Sequence, residues 1–241
     1  MTEPNGRPGA LRPVSRPRLY QQLVKALLAY ISEEGLTPGQ RLPTERVLAS
    51  RLGVSRASIA QAVVALEVQG ILSVRQGDGI YLVRQTDPAR FTQELTRRQQ
   101  RLPEILEARE ALEVTITSLA ALRHTEEDLA AIDGALERMA AQVAAGEHGY
   151  DGDKAFHEAV TAAAHNPVLS SLMEMLAGPI EETRRESLGQ PGRPQKSLAS
   201  HHEIVNAIRS GDRAKAAAAA QRHIAQVGDV ALLSWEGEDG A

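Results

Sequence analysis

Residues 39–83 read GQRLPTERVLASRLGVSRASIAQAVVALEVQGILSVRQGDGIYLV. Pro43 cannot extend a preceding helix and Thr44 offers a hydroxyl to cap the next, so a short helix is expected from about Glu45 to Leu52, ended by Gly53. Val54 and Ser55 make a turn. Ser55 caps a second helix whose apolar positions Ile59, Ala62, Val63 and Leu66 recur at helical spacing, while Arg56, Ser58 and Gln61 lie off that stripe. After Gly70, the β-rich runs 71–74 and 80–83 flank Gln76-Gly77-Asp78-Gly79, which is the pattern of a hairpin. Helix, turn, helix and hairpin spell a winged helix-turn-helix, with the second helix as the candidate reader of a DNA major groove.

Upstream, Leu23, Leu27, Leu28 and Ile31 mark a first helix that Gly35 ends, and residues 1–16, rich in Pro and Gly, read as a disordered arm. Residues 17–84 are therefore expected to form the winged domain. The polar run 85–101 reads as a linker that becomes a short helix. Beyond it the pattern is helical over 103–123, 125–145, 150–165, 167–188, 195–210 and 212–233, with turn signals between. The expected fold is mostly α: the winged head, an all-helical bundle over residues 102–235, and a tail at 236–241.

Charge divides the same way. Residues 1–84 hold eleven Lys/Arg against six Asp/Glu, and residues 85–241 hold sixteen against twenty-five. The basic head suits nucleic acid and the acidic remainder does not. There is no cysteine, which excludes disulfides and thiolate metal sites, so any metal would be held by nitrogen and oxygen. Neither a signal peptide nor a long apolar run is present, and the expected location is cytoplasmic, away from membranes.

Within the bundle, Asp153, His157, His201 and His223 are residues of metal-ligand type. Asp153 and His157 stand four apart, one turn above each other on one helix face. His201 and His223 lie at similar distances on either side of Gly211-Asp212, so an antiparallel helix pair hinged there brings both imidazoles to one layer. His124, His148, His165 and His202 are read as surface or satisfied core residues.

The pattern LPTER, LGVSR, LE, GIL and RQGDGIYLV over residues 17–84 resembles the winged helix-turn-helix of the GntR family of bacterial transcription regulators. The resemblance implies a homodimer on a short pseudo-palindromic, double-stranded operator, with Arg46 and Arg56 touching DNA and the wing tip at Gly77 in the minor groove. Thr44, Ser55, Ser58 and Arg75 complete the candidate DNA-contacting set. Two departures stand out. Ala60 occupies a place where the family commonly has a second base-reading Arg, so one guanine contact is expected to be missing. Asp78 puts a carboxylate at the wing tip, which phosphates repel unless it is turned away.

The second half is similar to the ligand-binding domain of the FadR branch, called FCD, through 107–113 (EAREALE), 153–157 (DKAFH), 166–169 (NPVL), His201 to Ile208 and His223-Ile224. That resemblance implies a divalent metal held by Asp153, His157, His201 and His223, with His201 chosen over His202 by the spacing to Ile204, Ala207 and Ile208. Zinc is the first expectation, with nickel and manganese also suited to an N/O site. It also implies that Arg109 pairs with the carboxylate of a small organic acid, although an i,i+4 salt bridge to Glu113 on a solvated face is the plainer alternative. The function expected is a ligand-responsive transcription regulator, a repressor released by its effector, and not an enzyme. A metal-dependent enzyme fused to a DNA-binding head, or a regulator with a purely structural metal, are the competing readings.

Overall fold

The computed structural model describes residues 17–75 and 77–228. The arm at 1–16, Gln76 of the hairpin turn, residues 229–235 of the expected bundle and the tail at 236–241 lie outside the described residues. Among those described, ten helices and one two-stranded sheet follow in the order α1 (Pro17–Glu33), α2 (Glu45–Leu52), α3 (Arg56–Val68), β1 (Leu72–Arg75), β2 (Gly79–Leu82), α4 (Pro88–Arg123), α5 (Glu126–Ala144), α6 (Tyr150–Ala163), α7 (Pro167–Met175), α8 (Ala177–Leu188), α9 (Arg193–Arg209) and α10 (Arg213–Gly228). None of the described helices is long and apolar enough to cross a membrane.

The head is built from local signals. The Thr44 hydroxyl accepts from the Val47 amide to start α2, and Gly53, in the left-handed region at φ 67°, ends it. Ser55 Oγ accepts from the Ser58 amide at 3.1 Å and starts α3. Ile59, Val63 and Val64 are β-branched and poor helix formers, yet Ile59 and Val63 are almost fully buried, and burial outweighs propensity. Each such side chain contributes about 1.5–3 kcal/mol by leaving water. The strands pair antiparallel with Leu72 opposite Leu82 and Val74 opposite Ile80. Residues 39–42 run along β2 as a third, short line, through Gly39 and Leu42 amides bonded to Leu82 and Ile80 carbonyls.

Two expectations of the chain's layout give way. The linker expected at 85–101 is mostly helix: α4 starts at Pro88, where the Asp87 carbonyl accepts from the Phe91 amide, and continues without a break through Pro103. A proline inside a helix removes one backbone bond and costs about 3 kcal/mol. Burial along α4 offsets it, because Phe91 and Leu102 enter the core of the head, where Val227 of α10 joins them. The head is thus packed against the bundle as well as tethered to it. The single helix expected over 167–188 is instead divided at Leu176 into α7 and α8.

The bundle core gathers Ile116 and Ala120 of α4, Ile132 and Leu136 of α5, Phe156 and Val160 of α6, Ile204 and Ile208 of α9, and Ala216 and Ala219 of α10. Helices α5 and α6 approach closely at Gly152, where a Cβ would fall on the backbone of Met139. That contact fixes the depth of the next residue, Asp153.

Candidate functional site

Five helices of the bundle converge on one group of polar side chains. Asp153 and His157 come from α6, His201 from α9, His223 from α10, Arg109 and Glu113 from α4, and Arg184 from α8. Gly211, at φ 68°, and Asp212, whose carboxylate accepts from the Ala214 and Lys215 amides, turn α9 into α10. The antiparallel pair brings the His201 and His223 rings to 4.6 Å between centroids. His157 lies 5.1 Å from His201 and 5.3 Å from His223. One ligating nitrogen from each of the three histidines falls within 4.8 Å of the others. Asp153 stands at the edge, with Oδ1 3.6 Å from His201 Nε2 and Oδ2 3.9 Å from His157 Nε2.

The hydrogen bonds around the rings fix which nitrogen keeps a lone pair. Burial pushes His157 down to about 4 and His201 to about 3, and holds His223 well below its ordinary value, so all three are neutral near pH 7. Burial alone would raise Glu113, but Arg109, His157 and Arg184 together outweigh it and keep its carboxyl well below the usual range. The ionised Glu113 therefore accepts from His157 Nδ1, at 3.1 Å, which leaves the lone pair on Nε2. Ser200 Oγ donates its one proton to the Ser197 carbonyl at 2.8 Å, so at the same oxygen it accepts from His223 Nδ1, also at 2.8 Å. Nε2 of His223 is then the acceptor atom. His201 stacks on Phe156 at 4.1 Å and 20° between planes.

The chemistry of this donor set fits a divalent cation. Asp153 Oδ2, His157 Nε2 and both nitrogens of His201 are buried and make no hydrogen bond. Orphaned polar atoms of this kind are costly unless something satisfies them. Glu113 behind His157 and Ser200 behind His223 are the outer partners that orient imidazoles at metal sites.

Arg109 is fully buried. Its Nε donates to Glu113 Oε1 at 2.8 Å and its Nη1 to Thr183 Oγ1 at 3.0 Å, while Nη2 is buried without a hydrogen bond. The salt bridge to Glu113 exists, but inside the protein and not on the solvated face considered from sequence. Two residues of this group were not read from the sequence as members of the histidine site. Glu113 carried a signal, four residues from Arg109 on the same helix. Arg184, 3.6 Å from Glu113 Oε1 and 3.7 Å from Asp153 Oδ2, carried none. Beside the histidines a narrow cavity, lined among others by Glu113, Thr117, His157, Thr161 and His223, has room for about one water molecule.

In the head, Thr44, Arg46, Ser55, Arg56, Arg75 and Gly77 are exposed and Ser58 is half-buried. Ser55 and Thr44 are engaged as helix caps. Arg75 lies over the Tyr81 ring at 4.4 Å. The Tyr81 hydroxyl donates to Asp78, which raises the pKa of Tyr81 and engages that carboxylate within the hairpin. Ala60 is buried, not solvent-facing. His202 and His165 are exposed, and His124 and His148 are half-buried away from the cluster; His165 binds Asp128 at 2.7 Å. Asn166 caps α7 through the Val168 and Leu169 amides.

Comparison with known proteins agrees with both halves. The family described as bacterial regulatory proteins, gntR family, matches residues 19–82, and the FCD domain matches residues 104–226. The chain is 34% identical over 204 residues to the HTH-type transcriptional regulator LutR of Bacillus subtilis (strain 168), covering 81% of this chain and 93% of that protein. It is 33% identical over 164 residues to the Uxu operon regulator of Haemophilus influenzae, covering 66% of this chain and 59% of that protein. With the Uxu operon transcriptional regulator of Escherichia coli (strain K12) it shares 29% identity over 222 residues, 88% of this chain and 86% of that one. A capped helix-turn-helix with a wing, joined to a helical domain with a buried histidine cluster, places this chain in the gntR family of bacterial regulatory proteins, as a DNA-binding transcription regulator with an FCD domain.

Proposed function

We propose that this regulator senses a small carboxylate beside a divalent metal, and that binding changes the affinity of a homodimer for a pseudo-palindromic operator, as a repressor that its effector releases. The unit over 17–84 reads DNA and the unit over 102–235 senses and dimerises, joined through 85–101. Asp153, His157, His201 and His223 would hold the ion, zinc in the first instance and nickel or manganese by the same chemistry. When bound, the ion supplies a Lewis-acid position for a ligand oxygen.

The observation that carries the reading is the charge of the buried site. Arg109 and Arg184 are balanced by Glu113 and Asp153, and the three histidines are neutral. A divalent cation added there leaves an uncompensated double positive charge in a low-dielectric interior, which favours an anionic ligand. A carboxylate meets this need and matches the planar fork of guanidinium, whose Nη2 on Arg109 is unengaged. The narrow cavity implies that side chains move to admit it.

On the DNA side, the exposed Arg46 and Arg56 are the base-contacting candidates. Thr44, Ser55, Ser58 and Arg75 are phosphate contacts, and Gly77 is the wing tip. Relatives matched along most of the chain carry the names of regulators, which favours a sensor over a catalytic site.

The test is a thermal-melting series on chelator-treated protein with zinc, nickel or manganese, each with and without acetate, lactate, malate and citrate. Metal should raise the melting temperature, and one or more carboxylates should raise it further only in the metal's presence. Carboxylate stabilisation that is equal with chelator present would sink the metal-assisted reading. Turnover of the acid by the loaded protein would favour the enzyme reading instead.

A further inference from the structure

Helix α8 touches both functional regions. At its centre Thr183 accepts from Arg109, and Arg184 reaches toward the histidine cluster. The Nε and Nη2 atoms of Arg184 are buried and make no hydrogen bond; they sit 3.7 Å from Asp153 Oδ2 and 3.6 Å from Glu113 Oε1. Through these two atoms the cation faces two carboxylates without a hydrogen bond to either. Arg185 turns the other way: it pairs with Glu181 at 2.9 Å and lies 5.3 Å from the Tyr150 ring, and its carbonyl accepts from the Tyr150 hydroxyl.

At the C-terminal end of α8, Gly189 packs against the recognition helix. A Cβ there would lie 2.7 Å and 3.1 Å from the two methyl groups of Val64. The backbone at Gly189 is ordinary right-handed helix, so the absent side chain reflects this approach and not a conformational need. Val64 is 6% exposed and Ala60, one turn earlier, 9%, yet neither belongs to the core of the head, which Ile59, Ala62, Val63 and Leu66 form from the other side of α3. Glu67, a turn beyond Val64, feels the charges of His148 and Arg185. The recognition helix thus has a second buried face, and the sensing domain packs against it.

We propose that α8 is the relay of this regulator, with its input at Arg184, drawn from between Glu113 and Asp153 when the site takes up a cation and its anionic ligand, and its output at Gly189 against Val64. The proposal rests on the metal and carboxylate reading above for its input only. A cation on Asp153 removes one of the two counter-charges of Arg184, and a ligand carboxylate offers charge-assisted hydrogen bonds that Arg184 now lacks. Gly189 stands five positions beyond Arg184, about 7.5 Å along a helix axis, so a short rigid helix transmits a small displacement with little loss. The ligand shifts the recognition helix only as far as it binds one arrangement of α8 more tightly than the other.

Backbone amide hydrogen exchange of the full chain tests both ends, with zinc alone and zinc with malate as probes. In the wild type, zinc with malate should change exchange over residues 60–68 by roughly threefold or more, alongside α8. Arg184→Gln, loaded with zinc and with malate raised until its melting temperature no longer increases, should leave exchange over 60–68 unresponsive. Gly189→Ala should alter exchange over 60–68 with nothing bound, and Val64→Ala in the same chain should reverse it. An Arg184→Gln chain that responds at 60–68 like the wild type overturns the input, and a Gly189→Ala chain with wild-type exchange there overturns the output. A wild type that takes up no zinc sinks the metal reading instead, and the Gly189 and Val64 variants still decide the relay's output.

Discussion

The head and the bundle solve opposite problems with polar side chains. In the head, the candidate DNA-contacting residues Arg46, Arg56 and Arg75 face solvent, where a charge costs little to keep and waits for a phosphate or a base edge. In the bundle, Arg109, Glu113, Asp153 and the three histidines are buried and satisfy one another incompletely. A surface that reads DNA must be accessible, whereas a site that discriminates a small anion gains from excluding water. The two regions should therefore respond differently to perturbation: loss of function without loss of stability in the head, and both together in the bundle.

Acidification probes that contrast with the largest expected effect. His157 and His201 titrate at about 4 and about 3 in the folded chain against 6.5 when unfolded, so the unfolded state binds more protons in between. Stability conferred by the neutral rings is complete above about pH 6.5 and falls toward pH 4, by about 1.4 kcal/mol per pH unit for each histidine. Glu113, also held below its unfolded value, adds loss in the same direction at lower pH. Denaturant unfolding of metal-free protein at pH 7 and pH 5 measures this; equal stabilities would mean the rings are not buried neutral.

Arg109→Ala should destabilise by about 3–5 kcal/mol, the usual cost of leaving a buried partner charge unpaired, here Glu113. A variant that melts like the wild type but no longer responds to effector would show that Arg109 serves the ligand alone. Zinc at a hundredfold excess over its Kd should stabilise the wild type by about 2.7 kcal/mol, or roughly 5–10 °C for a chain of this size. His201→Ala should abolish that increment, as read by melting with and without chelator. Arg56→Ala should weaken operator binding by about 1–3 kcal/mol at fixed salt while changing stability by less than about 0.5 kcal/mol. A comparable loss of melting temperature would erase the distinction between the two regions.

Legibility followed sequence distance. The helix-turn-helix was readable because Thr44, Gly53 and Ser55 act within three or four residues of where they stand. Asp153 and His157 could be paired from their spacing alone, and Gly211-Asp212 announced the hinge that aligns His201 with His223. Pro103 signalled a boundary that α4 ignores, because burial of Phe91 and Leu102 outweighs one missing backbone bond. Glu113 was read only as the near partner of Arg109; its bond to His157 spans 44 residues and leaves no local trace. Ala60 was read as a missing base contact, while the structure buries it on the face of α3 that also holds Val64.

The sequence by itself determined the elements of the head and the family: caps, periodicity and turn residues act locally, and motif spacing preserves them in one dimension. Tertiary structure alone decided that Glu113 and Arg184 join the histidines and Asp153, and how that site meets α3. Arg184 beside Asp153, and Gly189 against Val64, arise from packing between segments far apart in the chain. Packing energies depend on shape and burial, which no short stretch of sequence contains.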